Sequence, residues 1–293
     1  MKLGRGAQAR LGLALVALPV LICLGFILFP LVVAVTYVPV DIRGVQSSPE
    51  WIGFGNIVEM FTDPELWSAF TNNAIWIALG VPLPVIVGFL AALMVWGSSN
   101  RLSKIWQFAL FLPYVIPQVA VGIAWSWLYH PRGGWFNRFL EFVGLGELAR
   151  GWLGYPDTAL YAVILASVWL QFGFVMILVL SSLQNVDLTL IEAARLDGAG
   201  WLSRIRNVIM PQIWPVLIMV TSVILVGAFN IFDLVFVMTG GGPAGASEVL
   251  GTYAYEAAFQ LNRISYGTTV ALLITALSIP GVLLLNRLQR RYL

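Results

Sequence analysis

The stretch EAARLDGAGWLSRIRNVIMP, Glu192 to Pro211, is polar and basic in a chain that is otherwise mostly apolar. Long hydrophobic runs flank it on both sides, so a water-facing insert interrupts segments suited to lipid. The surrounding composition fixes the class. Hydrophobic residues make up 59% of the 293 positions and charged residues only 10%, whereas about a quarter of the residues of a soluble domain are charged. Six apolar runs stand out: Leu11–Val38, Ala74–Trp96, Ile105–Tyr129, Ala159–Leu183, Ile213–Met238 and Tyr266–Leu285. Roughly twenty apolar residues suffice to cross the hydrocarbon core, and none of the six contains Lys or Arg. Backbone groups in lipid must be paired within the segment, which makes these runs helices. A barrel needs short alternating strands, and these runs are apolar on every face. The expectation is an all-α membrane protein with six transmembrane helices in a single domain, 1–293.

Lys2, Arg5 and Arg10 precede the first run as they would in a signal peptide. The apolar core that follows is too long for one and no small-x-small cleavage site succeeds it, so a retained first helix is expected. Cys23 is the single cysteine, which excludes an intrachain disulfide and a cysteine-based metal site. No metal and no nucleic-acid partner is expected.

The basic residues orient the chain. With both termini cytoplasmic, the inner segments hold eleven of the sixteen Lys and Arg residues and the outer segments the other five, Arg43, Arg132, Arg138, Arg150 and Arg263. The excess of positive charge marks the inside. Trp51, Trp67, Trp96, Trp106, Trp135, Trp152 and Trp201 fall near the ends of the runs, where an indole ring suits the interface. The outer segments Pro39–Asn73 and His130–Thr158 are short and read as lying along the surface.

This orientation puts Gln184–Pro211 in the cytoplasm. Asp187 is placed to accept hydrogen bonds from free N–H groups at a helix start. Leu188–Leu196 has helix-forming composition, and Asp197-Gly198-Ala199-Gly200 stops it, because glycine takes the left-handed conformation at helix ends. A second, turn-rich segment, Trp201–Met210, leads to a boundary at Pro211. Ala193 and Ala194 leave a slim face that fits another protein's cleft, and the arginines suit an acidic partner or lipid headgroups. A loop resting on the membrane surface explains the same residues equally well.

Polar groups inside spans are costly and tend to face a bundle interior or an aqueous path. Gln118, Gln171 and Asn230 read as lying near span centres, with Trp169, Phe172, Phe174 and Phe229 close in sequence. Amides offer donors and acceptors to a polar solute, and aromatic faces can stack on C–H groups. Each amide serves equally as an interhelical hydrogen bond. Asp233 is the one carboxylate expected within a span; it suits either an outer-gate contact or a substrate contact, and it would repel an anionic cargo. His130, the sole histidine, reads as an interfacial turn residue beside Pro131.

Glu192, Ala193, Ala194, Gly198, Val208, Met210 and Pro211 together resemble the cytoplasmic EAA loop of ABC importer permeases. Val208 and Met210 stand where that family usually has Ile and Leu, and Asp187 where it often has Pro. FNIFDLVFVMTGGGP (Phe229–Pro243) and LPYVIPQVAVGIAWSWLYHPRGGWFN (Leu112–Asn137) resemble the fifth and third spans of carbohydrate-type permeases of the maltose and glycerol-phosphate kind. The resemblance covers nearly the whole chain and implies a type I importer fold in the cell membrane. It implies that Glu192, Ala193, Ala194, Arg195, Asp197, Gly198 and Ala199 contact a separate ATP-binding subunit as a coupling helix. It also implies a substrate path that takes in Gln118, Trp169, Gln171, Phe174, Asn230 and Asp233. The implied partners are a second permease, homologous or identical, two ATP-binding subunits and an external binding protein. ATP and Mg are expected in the partner, because neither of the two lysines, Lys2 and Lys104, follows a phosphate-binding glycine loop. An ion-coupled transporter, a membrane scaffold and a permease for a glycerol phosphodiester are the rival readings.

Overall fold

A computed structural model describes residues 15–44, 48–96 and 101–290. Lys2, Arg5, Arg10 and Arg291, and the first four residues expected in the first span, lie outside the described residues. The chain divides into two compact units, one of residues 1–63 with 254–273 and one of residues 64–253 with 274–293.

The first unit holds the first span, Leu15–Tyr37, none of whose residues is buried. A helix this apolar and this exposed needs lipid or a protein partner around it. A two-residue antiparallel pairing follows, Val40–Asp41 with Glu50–Trp51, then a helix Gly55–Thr62. The Asn56 amide donates to the carbonyls of Val38 and Val40, both at 2.9 Å, and ties this helix to the end of the span. Arg263 pairs with Glu59 at 2.5 Å and lies 4.5 Å from the Tyr266 ring centroid, while the Tyr266 hydroxyl donates to Asp63. The outer segment expected to lie along the surface is cross-linked through Asn56, Glu59 and Asp63.

The second unit is built around Ala159–Leu183, the fourth span, in which 15 of 25 residues are buried. Its run lacks proline and is apolar on all faces, as a central buried helix requires. Ala166, Ser167, Val175, Met176 and Val179 have no exposed surface. At Gly173 an added Cβ would stand 2.2 Å from the Leu110 carbonyl oxygen, so hydrogen is the only side chain that lets the two backbones approach this closely.

Four spans differ from the expected boundaries. The second begins at Pro64 rather than Ala74 and runs to Val95. Asp63 before the proline is extended, as the residue preceding proline must be, and Pro64 can open a helix because a first-turn N–H has no partner anyway. The third span is broken: Ser103–Val115 and Gln118–Leu128 meet at 100°. The fifth is one helix from Trp201 to Phe229, and Asp233–Met238 forms a separate short helix. Pro211 is thus no boundary. A π-turn at Ile205–Ile209, closed by Met210 N–H donating to Ile205, loosens the ladder just ahead of the proline that has no N–H to give. The last span, Ile264–Gln289, extends past both expected ends.

Candidate functional site

The breaks in the third and fifth spans meet at one place. Pro117 caps the helix Gln118–Leu128 with extended geometry (φ −55°, ψ 136°), and the Ile116–Pro117 pair cannot continue the preceding helix. The fifth span ends at Asn230, whose side-chain amide folds back onto the Val226 carbonyl at 2.9 Å. Phe232 (φ −145°, ψ −60°) then turns the chain, and Asp233 opens the next short helix. Gln118 therefore starts a helix at the break in the middle of the third span, Asn230 stands at a helix end rather than at a span centre, and Asp233 opens a separate short helix. These ends, with the middle of the fourth span, enclose a cavity of about 160 Å³ lined by Gln118, Ser167, Gln171, Asn230, Asp233 and the Trp76 ring, among others.

Four of the six sequence-derived path residues are thereby brought together. The other two are not. Trp169 packs edge-on to Trp125, with centroids 5.8 Å apart, and Phe174 stacks on Tyr114 at 4.6 Å; neither lines the cavity. A helix turns 100° per residue, so sequence proximity to Gln171 does not put a ring on its face. Trp76 and Ser167 take those places. Ser167 lies one turn before Gln171 and accepts its amide hydrogen bond at 2.6 Å, a spacing of four that could have flagged it. Trp76 lies inside the expected second span, but one aromatic ring in an apolar run gives no sign of the face it occupies. The Asn72 amide donates to the carbonyls of Gly245 and Glu248 at 3.2 and 2.9 Å, and that of Asn73 to Ala228 at 3.2 Å. With partners of this kind, polar residues sit inside a long helix at little cost.

The cavity chemistry is three amides, a hydroxyl, a carboxylate and an indole side chain. Such a set can donate to and accept from several hydroxyl groups and stack on an apolar sugar face. His130 stands outside it; its Nδ1 accepts from the Arg132 N–H at 3.3 Å in the turn after the third span.

The insert is a second site of different character. Its helix is Leu188–Leu196. Asp187 accepts from the Thr189 N–H at 2.9 Å and from its hydroxyl at 2.7 Å. These bonds favour the charged form and hold the Asp187 carboxyl below its ordinary pKa. At the other end Gly198 (φ +79°) donates to Arg195 at 3.1 Å and Ala199 to Ala194 at 2.9 Å. This paired closure caps the last turn's carbonyls and demands a left-handed residue at position 198. The helix is therefore rigid at both ends. It is also uncovered: Glu192, Ala193, Arg195, Asp197 and Gly198 are exposed, with Ala194 and Ala199 half-buried. Leu196 is 88% exposed, with Leu188, Leu190, Trp201 and Leu202 also bare. A capped helix that shows leucine next to charge presents a surface suited to another protein or to the membrane interface.

Helices long enough to cross a membrane, with a polar cavity at their breaks, are the parts of a membrane transport component. The chain belongs to the family of binding-protein-dependent transport system inner membrane components, whose model matches residues 80–293. A probable ABC transporter permease, YurN of Bacillus subtilis, is 34% identical over 79% of this chain and 80% of its own length. The lactose transport system permease LacF of Rhizobium radiobacter is 31% identical, over 85% of this chain and 84% of its own. The trehalose/maltose permease MalF of Thermococcus litoralis is 28% identical, over 91% and 89%. A bacterial ABC transporter that imports the acidic polysaccharide alginate shares the fold, with a TM-score of 0.81, 23% identity and coverage of 97% and 96%.

Proposed function

We propose that this chain is the permease subunit of an ATP-driven importer of oligosaccharides, disaccharides or related polyols, and that it transports by alternating access. The observation that carries the coupling mechanism is the uncovered helix Leu188–Leu196, capped at both ends and held ready for a partner. Glu192, Ala193, Ala194, Arg195, Asp197, Gly198 and Ala199 are the surface that an ATP-binding subunit grips. Closure of two such subunits on ATP and Mg moves the helix as a lever, and the spans follow. ATP hydrolysis thus belongs to a partner, and this chain is not itself an enzyme. A second permease, a homologue in a heterodimer or an identical copy, completes the pore. An external binding protein delivers the cargo, consistent with the alginate importer's solution in complex with a saccharide-bound periplasmic protein. The basic residues favour cytoplasmic termini.

Relatives named for lactose, trehalose/maltose and diacetylchitobiose support a saccharide cargo. Within the path, Gln118, Gln171, Asn230 and Asp233 offer hydrogen bonds to hydroxyl groups, Trp76 offers a stacking face, and Trp169 and Phe174 support the wall from outside the cavity. The family membership favours this reading over an ion-coupled transporter. The test is reconstitution of the chain with its partner permease, ATP-binding subunits and binding protein in liposomes. The saccharide-loaded binding protein should raise ATP hydrolysis, and Glu192→Lys should abolish uptake while leaving the subunit inserted. Full uptake by that variant contradicts the lever role.

A further inference from the structure

The turn that carries Asn230 and Asp233 into the polar cavity is held by residues that do not line it. The fifth helix ends at Phe229, and its last ladder bond runs from the Asn230 N–H to the Val226 carbonyl at 3.3 Å. Ala228 comes after that acceptor, so its carbonyl is one of the last-turn oxygens for which a helix has no donor of its own. Asn73, on the second span, supplies one: its Nδ2 donates to Ala228 at 3.2 Å. Asn73 is 2% exposed, and among the described residues no donor reaches its Oδ1. Leaving a buried acceptor unpaired is costly, so what an apolar helix gains from Asn at this position is the donor.

The other side of the turn is held by backbone contact. At Gly251, in the helix Leu250–Tyr255, a Cβ would stand 2.5 Å from the Ile231 carbonyl oxygen. Glycine therefore lets that helix lie directly against the turn. Asn72 ties the same stretch of the second span to the loop leading into this helix, through the carbonyls of Gly245 and Glu248. The turn is thus gripped on one side by Asn73 and on the other by Gly251. An amide that only joined two helices could bond anywhere along them; this one meets the carbonyl at the break.

We infer that Asn73 is a positioning residue of the cargo path: it caps the broken fifth span from a neighbouring helix, with Gly251 as the backstop, and so fixes the turn that presents Asn230 and Asp233 to the cavity. The inference rests on the cargo path proposed above. Without the cap the Ala228 carbonyl must find another donor, and the nearest in sequence are the N–H groups of the turn itself. Recruiting one winds the helix onward and re-aims Asp233. A hydrogen bond of this kind biases such a local equilibrium roughly 2- to 12-fold.

The test is hydrogen-exchange mass spectrometry of the assembled transporter in nanodiscs, alongside saccharide uptake in liposomes. Asn73→Ala should speed exchange in peptides covering 226–236 by roughly 2- to 12-fold and leave peptides of the central helix Ala159–Leu183 unchanged. Uptake should fall by a similar factor. Asn73→Ala combined with Asn230→Ala should lower it by less than the product of the two single effects, because both act on one turn. Gly251→Ala disturbs the turn from its other side and should loosen the same peptides; it decides the matter if Asn73→Ala does not assemble. Unchanged exchange at 226–236, exchange raised equally throughout the chain, or local loosening with full uptake would each overturn the positioning role. If wild type takes up no saccharide the cargo reading fails, and exchange at 226–236 then upholds or overturns the clamp by itself.

Discussion

Replacing Gly198 separates two reasons for a glycine at the end of the insert helix. Its φ is +79°, and an added Cβ would meet nothing within 4 Å. In the permease alone the cost of a side chain is therefore backbone strain and not collision. The left-handed conformation costs an L-residue about 1–2 kcal/mol, and Asn pays less because its side chain bonds locally. For Gly198→Ala this lowers the population of the capped end roughly 5–30-fold against its competitors. A partner that binds only the capped form loses apparent affinity by the same fraction. Titration of the ATP-binding subunit onto permease liposomes, read by ATPase rate or fluorescence anisotropy, should rank the variants as glycine tightest, Asn intermediate and Ala weakest. If Asn binds more weakly than Ala, side-chain volume in the partner's groove decides and the conformational argument is wrong. If both bind like wild type, the glycine turn plays no part in docking.

Other consequences follow from the same geometry. Gly173→Val drives a side chain into the Leu110 carbonyl, 2.2 Å from its first atom; overpacking of this kind costs about 1–3 kcal/mol, and the melting temperature of the solubilised protein should fall accordingly. Gln171→Leu leaves the buried Ser167 hydroxyl without its 2.6 Å partner, at roughly 1–3 kcal/mol; saccharide uptake should drop while ATP-subunit binding stays unchanged, and unchanged uptake would remove Gln171 from the path. The Asp187 cap has a lowered pKa, so its contribution is complete above the ordinary aspartate range and is lost only as pH falls through the lower folded value. Insert-helix order, followed by a spin label at Ala193→Cys in a Cys23→Ser background, should thus be flat from pH 7 to about 5 and decline only in stronger acid. A loss of order centred near neutrality would refute the capping role.

The sequence carried the class, the span count and the insert, because each rests on local chemistry. Apolar length gives a span without reference to neighbours, and Asp187 and Gly198 act within a few residues of themselves. What escaped depends on distant partners. The apolar window did not extend the second span back to Pro64, since Asn72 and Asn73 become tolerable only through carbonyls at Gly245, Glu248 and Ala228. Nothing in the run Ile213–Met238 signals a stop at Phe229. That stop belongs to the packing of Asp233–Met238 on the helix Gln118–Leu128, where a Cβ on Gly122 would come within 3.1 Å of Val237. Pro117 lacks an N–H and so accounts for a break in the run Ile105–Tyr129, but not for its 100° angle. Gln118, Gln171, Asn230 and Asp233 were legible as polar exceptions in apolar runs, whereas Trp169 and Phe174 were chosen by nearness along the chain, which does not fix a helical face.

The most direct measurement is site-specific photocrosslinking from the insert in the assembled transporter, with benzoylphenylalanine placed in turn at Ala193, Leu196 and Ala199. The account predicts a covalent product with the ATP-binding subunit from these positions, changing in yield between nucleotide-free and ATP-bound states. Products with lipid alone, or none at any stage of the cycle, would contradict it.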